Sequence, residues 1–275
     1  LLDRTGFRTD GSVQSWQLTV YEESSTPAWF GCGVVYQIFP DRFCRKNPGE
    51  KRHSCREWAC QEDATWKEFY GGDLAGIRSR LAYIADLGVG GIYLNPILWS
   101  DSNHRYDTID YYSVEPDIGT EEELRALIEE AHALGLRVMI DAVFNHCGAK
   151  CALWQDVLEK GPQSDYYHWF CVNRWPIDEQ THATKRGDYF SFAFVDNMPK
   201  FDTSEPDVME YLTGIAKRDS AGIKLGDILE SREIFFLHRD TQTDADHVQG
   251  ALCSNFLQDE PLIFRVAPAQ CTVLY

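Results

Sequence analysis

The chain has 275 residues, 44% of them hydrophobic and 13% aromatic, enough to bury a large core as one domain or one domain with an appendage. Its formal net charge of −17 argues against nucleic acid and anionic membrane as partners, because both present phosphate that an acidic surface repels, whereas a neutral or cationic partner is compatible. No apolar run reaches bilayer-spanning length, and the opening Leu1-Leu-Asp-Arg-Thr-Gly6 does not read as a signal peptide.

Residues 1–32 are polar and turn-rich, with a short strand-like alternation over Trp16–Tyr21, and read as a linker or edge segment. Val34–Phe39 is a strand by its β-branched and aromatic content, closed by Pro40. Residues 41–70 read as a long charged loop. Asp73 is placed to cap a helix with Leu74, Ile77, Leu81 and Ile84 on its apolar face, stopped by Gly88. Gly91–Asn95 is the second strand, ended by Pro96, and a polar, aromatic loop follows through Ser102–Thr108. Thr120 and Glu123 form a capping box for a second helix, whose Leu124, Leu127, Ile128, Ala131 and Leu134 recur at helical spacing before Gly135.

The third strand, from Arg137 to Ala142, follows at once and delivers Asp141, Asn145 and His146 together. In parallel α/β folds the carboxyl end of a strand is where ligands bind, so this triplet marks a candidate site. A polar strand cap without function is the plainer alternative. Residues 147–203 carry little periodicity but many aromatics, which either pack the excursion's own core or face a sugar ring. A third helix starts near Ser204, with Pro206 in its first turn and Val208, Tyr211, Leu212 and Ile215 on one face.

The nine cysteines include no Cys-x-x-Cys pair with a second pair at zinc-ribbon distance, so free thiols in a reducing cytoplasm are expected. Cys147-x-x-x-Cys151 is the one spacing that invites a redox or metal role.

Five ordered motifs carry a family resemblance. They are Val34–Phe43 (with Tyr-Gln-Ile-Phe-Pro-Asp-Arg-Phe), Gly71-Gly-Asp-Leu-Ala-Gly-Ile77, Ile92-Tyr-Leu-Asn-Pro96, Asn103-His-Arg-Tyr-Asp-Thr108 and Asp141-Ala-Val-Phe-Asn-His146. Together they resemble the α-amylase superfamily of glycoside hydrolases. Met198-Pro-Lys200 is similar to a motif of the branch holding neopullulanases, cyclomaltodextrinases and maltogenic amylases, although Phe201-Asp202 follows where that branch has Leu-Asn.

The resemblance implies a (β/α)8 TIM-type barrel with an excursion after strand three, and retaining hydrolysis of α-1,4 and some α-1,6 glucosidic bonds of maltodextrin, cyclodextrin or pullulan. It implies that Tyr106 stacks under the sugar and that His146 bonds its hydroxymethyl oxygen. Asp141 and Asn145 would hold the strand end, and Asp107 would brace the loop of Tyr106. Asn95 and His104, within the matching motifs, join the substrate-binding set.

The chain then departs from the pattern. A retaining glycosidase needs two carboxyl groups about 5 Å apart, one as nucleophile and one as acid/base. Where the family has Asp-Gly-x-Arg-x-Asp, this chain has Ala221-Gly-Ile-Lys-Leu-Gly226. Lys224 lacks the planar fork of an arginine, and Gly226 stands at the nucleophile position. Asp227 and Glu230 are the nearest carboxylates, out of register by one and four places. Residues 228–275 are too few for four further β/α units and read as an uncertain β-containing tail, with strands at Asp259–Val266 and Cys271–Tyr275.

The expectation is therefore about the first half of a barrel over residues 33–227, whose uncovered edge favours self-association. Two functions compete: a glucan hydrolase with an incomplete catalytic centre, and a non-catalytic glucan-binding or interaction protein. An unrelated barrel enzyme using Asp141, His146 and a metal is a third. No cofactor is expected. Some relatives hold calcium with the Gly-Gly-Asp loop, here Gly71 and Asp73. The basic segment Cys44–Lys51 opposes a hard dication that wants oxygen donors.

Overall fold

The computed structural model describes residues 2–3, 6–7, 33–47, 49–58, 65–178, 187–192, 197–217, 234–238 and 265–266. The chain divides into Leu1–Cys32 and Gly33–Tyr275. In the first unit β1 (Leu2–Asp3) and β2 (Gly6–Phe7) pair antiparallel, Leu2 with Phe7. The Trp16–Tyr21 alternation lies outside the described residues.

The second unit is built on a parallel sheet. Strands β3 (Val35–Ile38), β4 (Gly91–Leu94) and β7 (Arg137–Ala142) lie side by side, with Ile38 beside Leu94 and Leu94 beside Ile140. Because all three run the same way, their carboxyl ends emerge at one edge. Their inward side chains Ile38, Ile92, Leu94, Val138 and Ile140 are buried beneath helices α2 (Leu74–Arg78), α3 (Leu81–Asp86) and α4 (Glu121–Ala133). Helix α4 starts as expected: Thr120 accepts from the Glu123 amide, Glu123 reaches back to Thr120, and Leu124, Leu127, Ile128 and Ala131 face the core. It ends with Gly135 at φ +78°, a conformation open to glycine.

Asp73 caps α2 by accepting from the Gly76 amide at 2.6 Å, but the expected single helix is two. The Ser79 hydroxyl donates to the Gly76 carbonyl at 2.7 Å, and the chain breaks at Ser79–Arg80 before α3. The glycines of the 71–77 motif have a steric cause. A Cβ on Gly72 would lie 2.1 Å from the Pro40 carbonyl oxygen, and one on Gly76 would lie 2.1 Å from that of Cys44. The turn after β3, including α1 (Pro40–Phe43), thus sits directly on this loop.

Four elements lie where no helix or strand is expected. Residues read as loop form an antiparallel pair, β5 (Leu98–Ser100) with β6 (Thr108–Val114). The excursion contains α5 (Ala152–Lys160), burying Trp154 and Val157. The strand beside β7 is β8 (Ile234–His238), with Asp141 paired to Leu237; β9 (Arg265–Val266), next in the sheet, falls within the strand expected over Asp259–Val266. Strand four was expected at Ala221–Gly226, which lies outside the described residues, as does Cys271–Tyr275. Ile234-Phe-Phe-Leu-His238 is a short apolar run that the motif search passed over. The sheet, in the order β3-β4-β7-β8-β9, is an incomplete TIM-type barrel among the described residues.

Helix α6 (Pro206–Lys217) buries Val208, Leu212 and Ile215 against Trp154, Phe170, Tyr189 and Phe201. Most excursion aromatics therefore pack a second core. No helix among the described residues is long and apolar enough to cross a membrane.

Candidate functional site

The site lies where β4 and β7 end. Asp141 projects from β7 and is 2% exposed; the Tyr106 hydroxyl donates to its Oδ2 at 2.6 Å. Tyr93, from β4, directs its hydroxyl to Asp141 and stands beside the Tyr106 hydroxyl. Burial, then the Asp141 charge, pushes the Tyr93 phenol above its ordinary range, so it stays a neutral donor. Asp141 thus ties together two phenols from separate segments.

His146 is 3% exposed and stacks on Phe192, with ring centroids 4.7 Å apart. Asn145 Nδ2 lies 3.2 Å from His146 Nδ1, and His146 Nε2 lies 2.9 Å from the Tyr106 carbonyl. An amide N–H can only donate, so Nδ1 accepts and the ring proton sits on Nε2, donated to that carbonyl. The backbone here is clamped by the Met198–Lys200 motif: Cys147 N–H donates to Pro199 O at 3.1 Å, and Phe201 N–H to Asn145 O at 3.0 Å. Tyr111 donates to the carbonyls of Val143 and His146 at 2.9 and 2.7 Å.

The loop carrying Tyr106 is fixed by Asp107, which accepts from Ser100 Oγ at 2.5 Å and also from Ser102 Oγ. His104 Nδ1 accepts from the Tyr106 amide at 3.1 Å and contacts Ser102 Oγ at 3.0 Å. Burial lowers the His104 pKa and Arg105 adds to this, while Asp107 opposes it, so the ring is neutral at pH 7. Arg105 adopts φ +60°, and its buried guanidinium donates to Asn103 O at 2.8 Å. Asn95 accepts from Gln37 Nε2 at 2.8 Å, tying the end of β4 to β3.

Tyr106, Asp107, Asp141, Asn145, His146 and His104 therefore converge, with Asn95 at the neighbouring strand end. Tyr93 has no expected role, and Phe192 is expected only as one of the excursion aromatics that pack a core or face a sugar. Tyr93 alternates with buried Ile92 and Leu94, which is the signal that it faces the opposite side of β4. Phe192 lacked any local signal, since only the tertiary fold brings it to His146. Asp227 and Glu230 lie outside the described residues.

The calcium donors do not fit. Asp73 accepts from the amides of Asn47, Lys46 and Gly76 at 2.8, 3.2 and 2.6 Å, and Lys51 Nζ stands 3.6 Å from Oδ2. N–H groups and an ammonium occupy the directions a hard dication would need. Gly71, at φ +74°, donates its amide to Asp41 at 3.0 Å, so it is the partners of Asp73 that oppose calcium. His53, Glu115 and Asp117 also bring three ligand atoms within 4.8 Å of one another. The Arg52 guanidinium already bridges both oxygens of Glu115 at 3.1 and 3.0 Å, and Lys51 donates to the Asp117 carbonyl at 2.5 Å. That cluster is a charge-balanced strut.

Residues 37–219 match the α-amylase family, catalytic domain. A cyclomaltodextrinase from Geobacillus thermopakistaniensis is 46% identical over 190 residues, covering 69% of this chain and 32% of that protein. Neopullulanase 2 from Thermoactinomyces vulgaris is 41% identical over 218 residues, covering 78% and 37%. Among solved structures, the cyclic α-maltosyl-(1→6)-maltose hydrolase from Arthrobacter globiformis, in complex with that sugar, superposes with TM-score 0.66 at 29% identity, covering 82% of this chain and 55% of that one. The chain spans about a third of the length of these curated relatives.

Proposed function

This chain belongs to the α-amylase catalytic-domain family, and on that premise we propose that it recognises α-linked glucans through Tyr106, Asp141 and His146 without hydrolysing them by itself. The observation that carries the reading is the Tyr93–Asp141–Tyr106 network at the strand ends, braced by His146. Phenol rings offer flat apolar faces to the C–H face of a sugar, and Asp141 and His146 hold the Tyr106 segment that presents one of them. His104 holds the Tyr106 amide, and Asn95 stands at the neighbouring strand end. The names of the relatives support maltodextrin, cyclodextrin or pullulan as the ligand class.

Turnover needs a nucleophilic carboxylate opposite a second carboxyl group. Asp141 is bound to two phenols and Asp107 to two serines, so both position other groups. Asp227 and Glu230 are out of register with the family's nucleophile motif, and Gly226 stands in its place. A cytoplasmic location is part of this reading; a Bacillus subtilis relative, 43% identical over 190 residues, is named an intracellular maltogenic amylase.

Calorimetry with maltotriose and β-cyclodextrin, beside reducing-sugar release from pullulan, tests both halves. Binding without sugar release is expected. No binding would overturn the recognition half. Release that Asp227→Asn abolishes and His146→Ala only weakens would overturn the other and make Asp227 the nucleophile.

A further inference from the structure

Two thiols that glucan recognition leaves unused sit immediately behind His146. Cys147 follows it in the chain, and Cys151 is the residue from which α5 begins. The Cys151 amide donates to the Gly148 carbonyl at 2.9 Å, closing a tight turn, and both side chains lie in one buried cluster. The turn is pinned from both sides: the Gly148 amide donates to Thr108 O at 2.7 Å and that of Ala149 to Asn197 O at 2.8 Å. A Cβ on Gly148 would lie 2.4 Å from the Asp107 carbonyl, so the turn has no room to open towards the site. Both sulfurs are enclosed, 0% and 3% exposed, in the core with Tyr111 and Trp154.

We propose that Cys147 and Cys151 are an oxidisable dithiol that closes to a disulfide when the folded chain meets a small peroxide. The two thiols are unequal. The neighbouring Cys147 holds the Cys151 thiol below its ordinary range against the effect of burial, at the N-terminal end of α5. Burial pushes Cys147 well above its ordinary range, so it keeps its proton. Cys151 is therefore the attacking sulfur. It takes one peroxide oxygen as the O–O bond breaks, giving a sulfenic acid, and the leaving hydroxide takes a proton to become water. Cys147 then attacks that sulfur; the S–S bond forms as the S–O bond breaks, and its proton leaves with a second water. Each cycle oxidises two thiols and reduces one peroxide to two waters.

Lys150 makes the test direct, because tryptic cleavage after it separates Cys147 from Cys151 unless a disulfide joins them. The folded full-length chain is treated with hydrogen peroxide, the peroxide is removed, and the chain is unfolded in iodoacetamide and digested. The expected product is the two joined peptides, unalkylated at both cysteines, rising with peroxide dose and falling apart with dithiothreitol. Cys147→Ser and Cys151→Ser should each abolish it. Since a buried serine can disturb folding, the unchanged chain is also oxidised in urea, where the joined product should fall several-fold because the turn is lost. Full alkylation of both cysteines after peroxide, equal yield in urea, or joining of Cys151 to Cys44, Cys55 or Cys171 would overturn the proposal.

Discussion

Replacing Tyr106 by phenylalanine isolates the Asp141 contact from the ring. The hydroxyl donates to a carboxyl oxygen at 2.6 Å, and Asp141 is 2% exposed, so water does not replace the lost donor. A hydrogen bond to a charged partner contributes about 1.5–3 kcal/mol. Tyr93 still serves Asp141, which places the expected loss near the lower end, about 1.5–2 kcal/mol. Tyr93→Phe should cost a similar amount. The double variant leaves the buried carboxyl without either phenol and should exceed the sum by about 1 kcal/mol, because the two donors share one acceptor. Urea unfolding followed by circular dichroism measures all three. Glucan affinity should separate differently, since Tyr106→Phe keeps the ring face. Tyr106→Ala removes it and should weaken binding by roughly tenfold, the equivalent of about 1.4 kcal/mol and within the range of an aromatic contact. An additive double variant, or a phenylalanine variant as stable as the parent, would refute the shared-acceptor geometry.

Gly72→Ala forces a Cβ against the Pro40 carbonyl and should cost about 3 kcal/mol or more, read as a lower urea midpoint; an unchanged midpoint would contradict the close approach. Thr120→Ala removes the α4 capping box and should cost about 1 kcal/mol in the same assay. Burial opposes the Asp117 charge, but the Arg52 and His53 amides and the His53 ring outweigh it and hold its pKa below the ordinary 3.8. A carboxyl lowered on folding stabilises the chain above that value and loses the contribution as pH falls through the lowered one. Asp117→Asn should therefore flatten the fall in urea midpoint below pH 3.8 and lower the midpoint at neutral pH. Added calcium should leave the melting temperature unchanged, because Asp73 is bonded to N–H groups and Lys51; a rise would overturn that assignment.

Local chemistry made much of this protein legible. The Thr120–Glu123 capping box, the Asp73 cap and the Arg137–Ala142 run each specify their element through neighbours in sequence, and the structure has all three. The alternation of β-branched strands and amphipathic helices dictated a parallel sheet, hence the edge where Asp141, Asn145 and His146 emerge. The order of five short motifs carried the family.

Tertiary structure decided what depends on distant partners. Leu98–Ser100 lies in a stretch read as loop and residues 109–114 carry no expected element; pairing across the sheet makes both segments strands. The single helix expected over 74–84 breaks at Ser79, whose hydroxyl finds a backbone acceptor. Phe192 reaches His146 only because the Met198–Lys200 segment folds back on the strand end, and the Tyr93 phenol meets Asp141 only once β4 and β7 pair. Lys51 reaches Asp73 across a loop with no periodic signal, turning a would-be metal ligand into an anchor. The sequence alone determined those elements whose signals are local, such as the Glu121–Ala133 helix and the Arg137–Ala142 strand, since capping and periodicity act over a few residues. Which polar groups neutralise one another inside the site was decided by packing, since hydrogen bonds and charge pairs form between atoms that only the folded chain brings within reach.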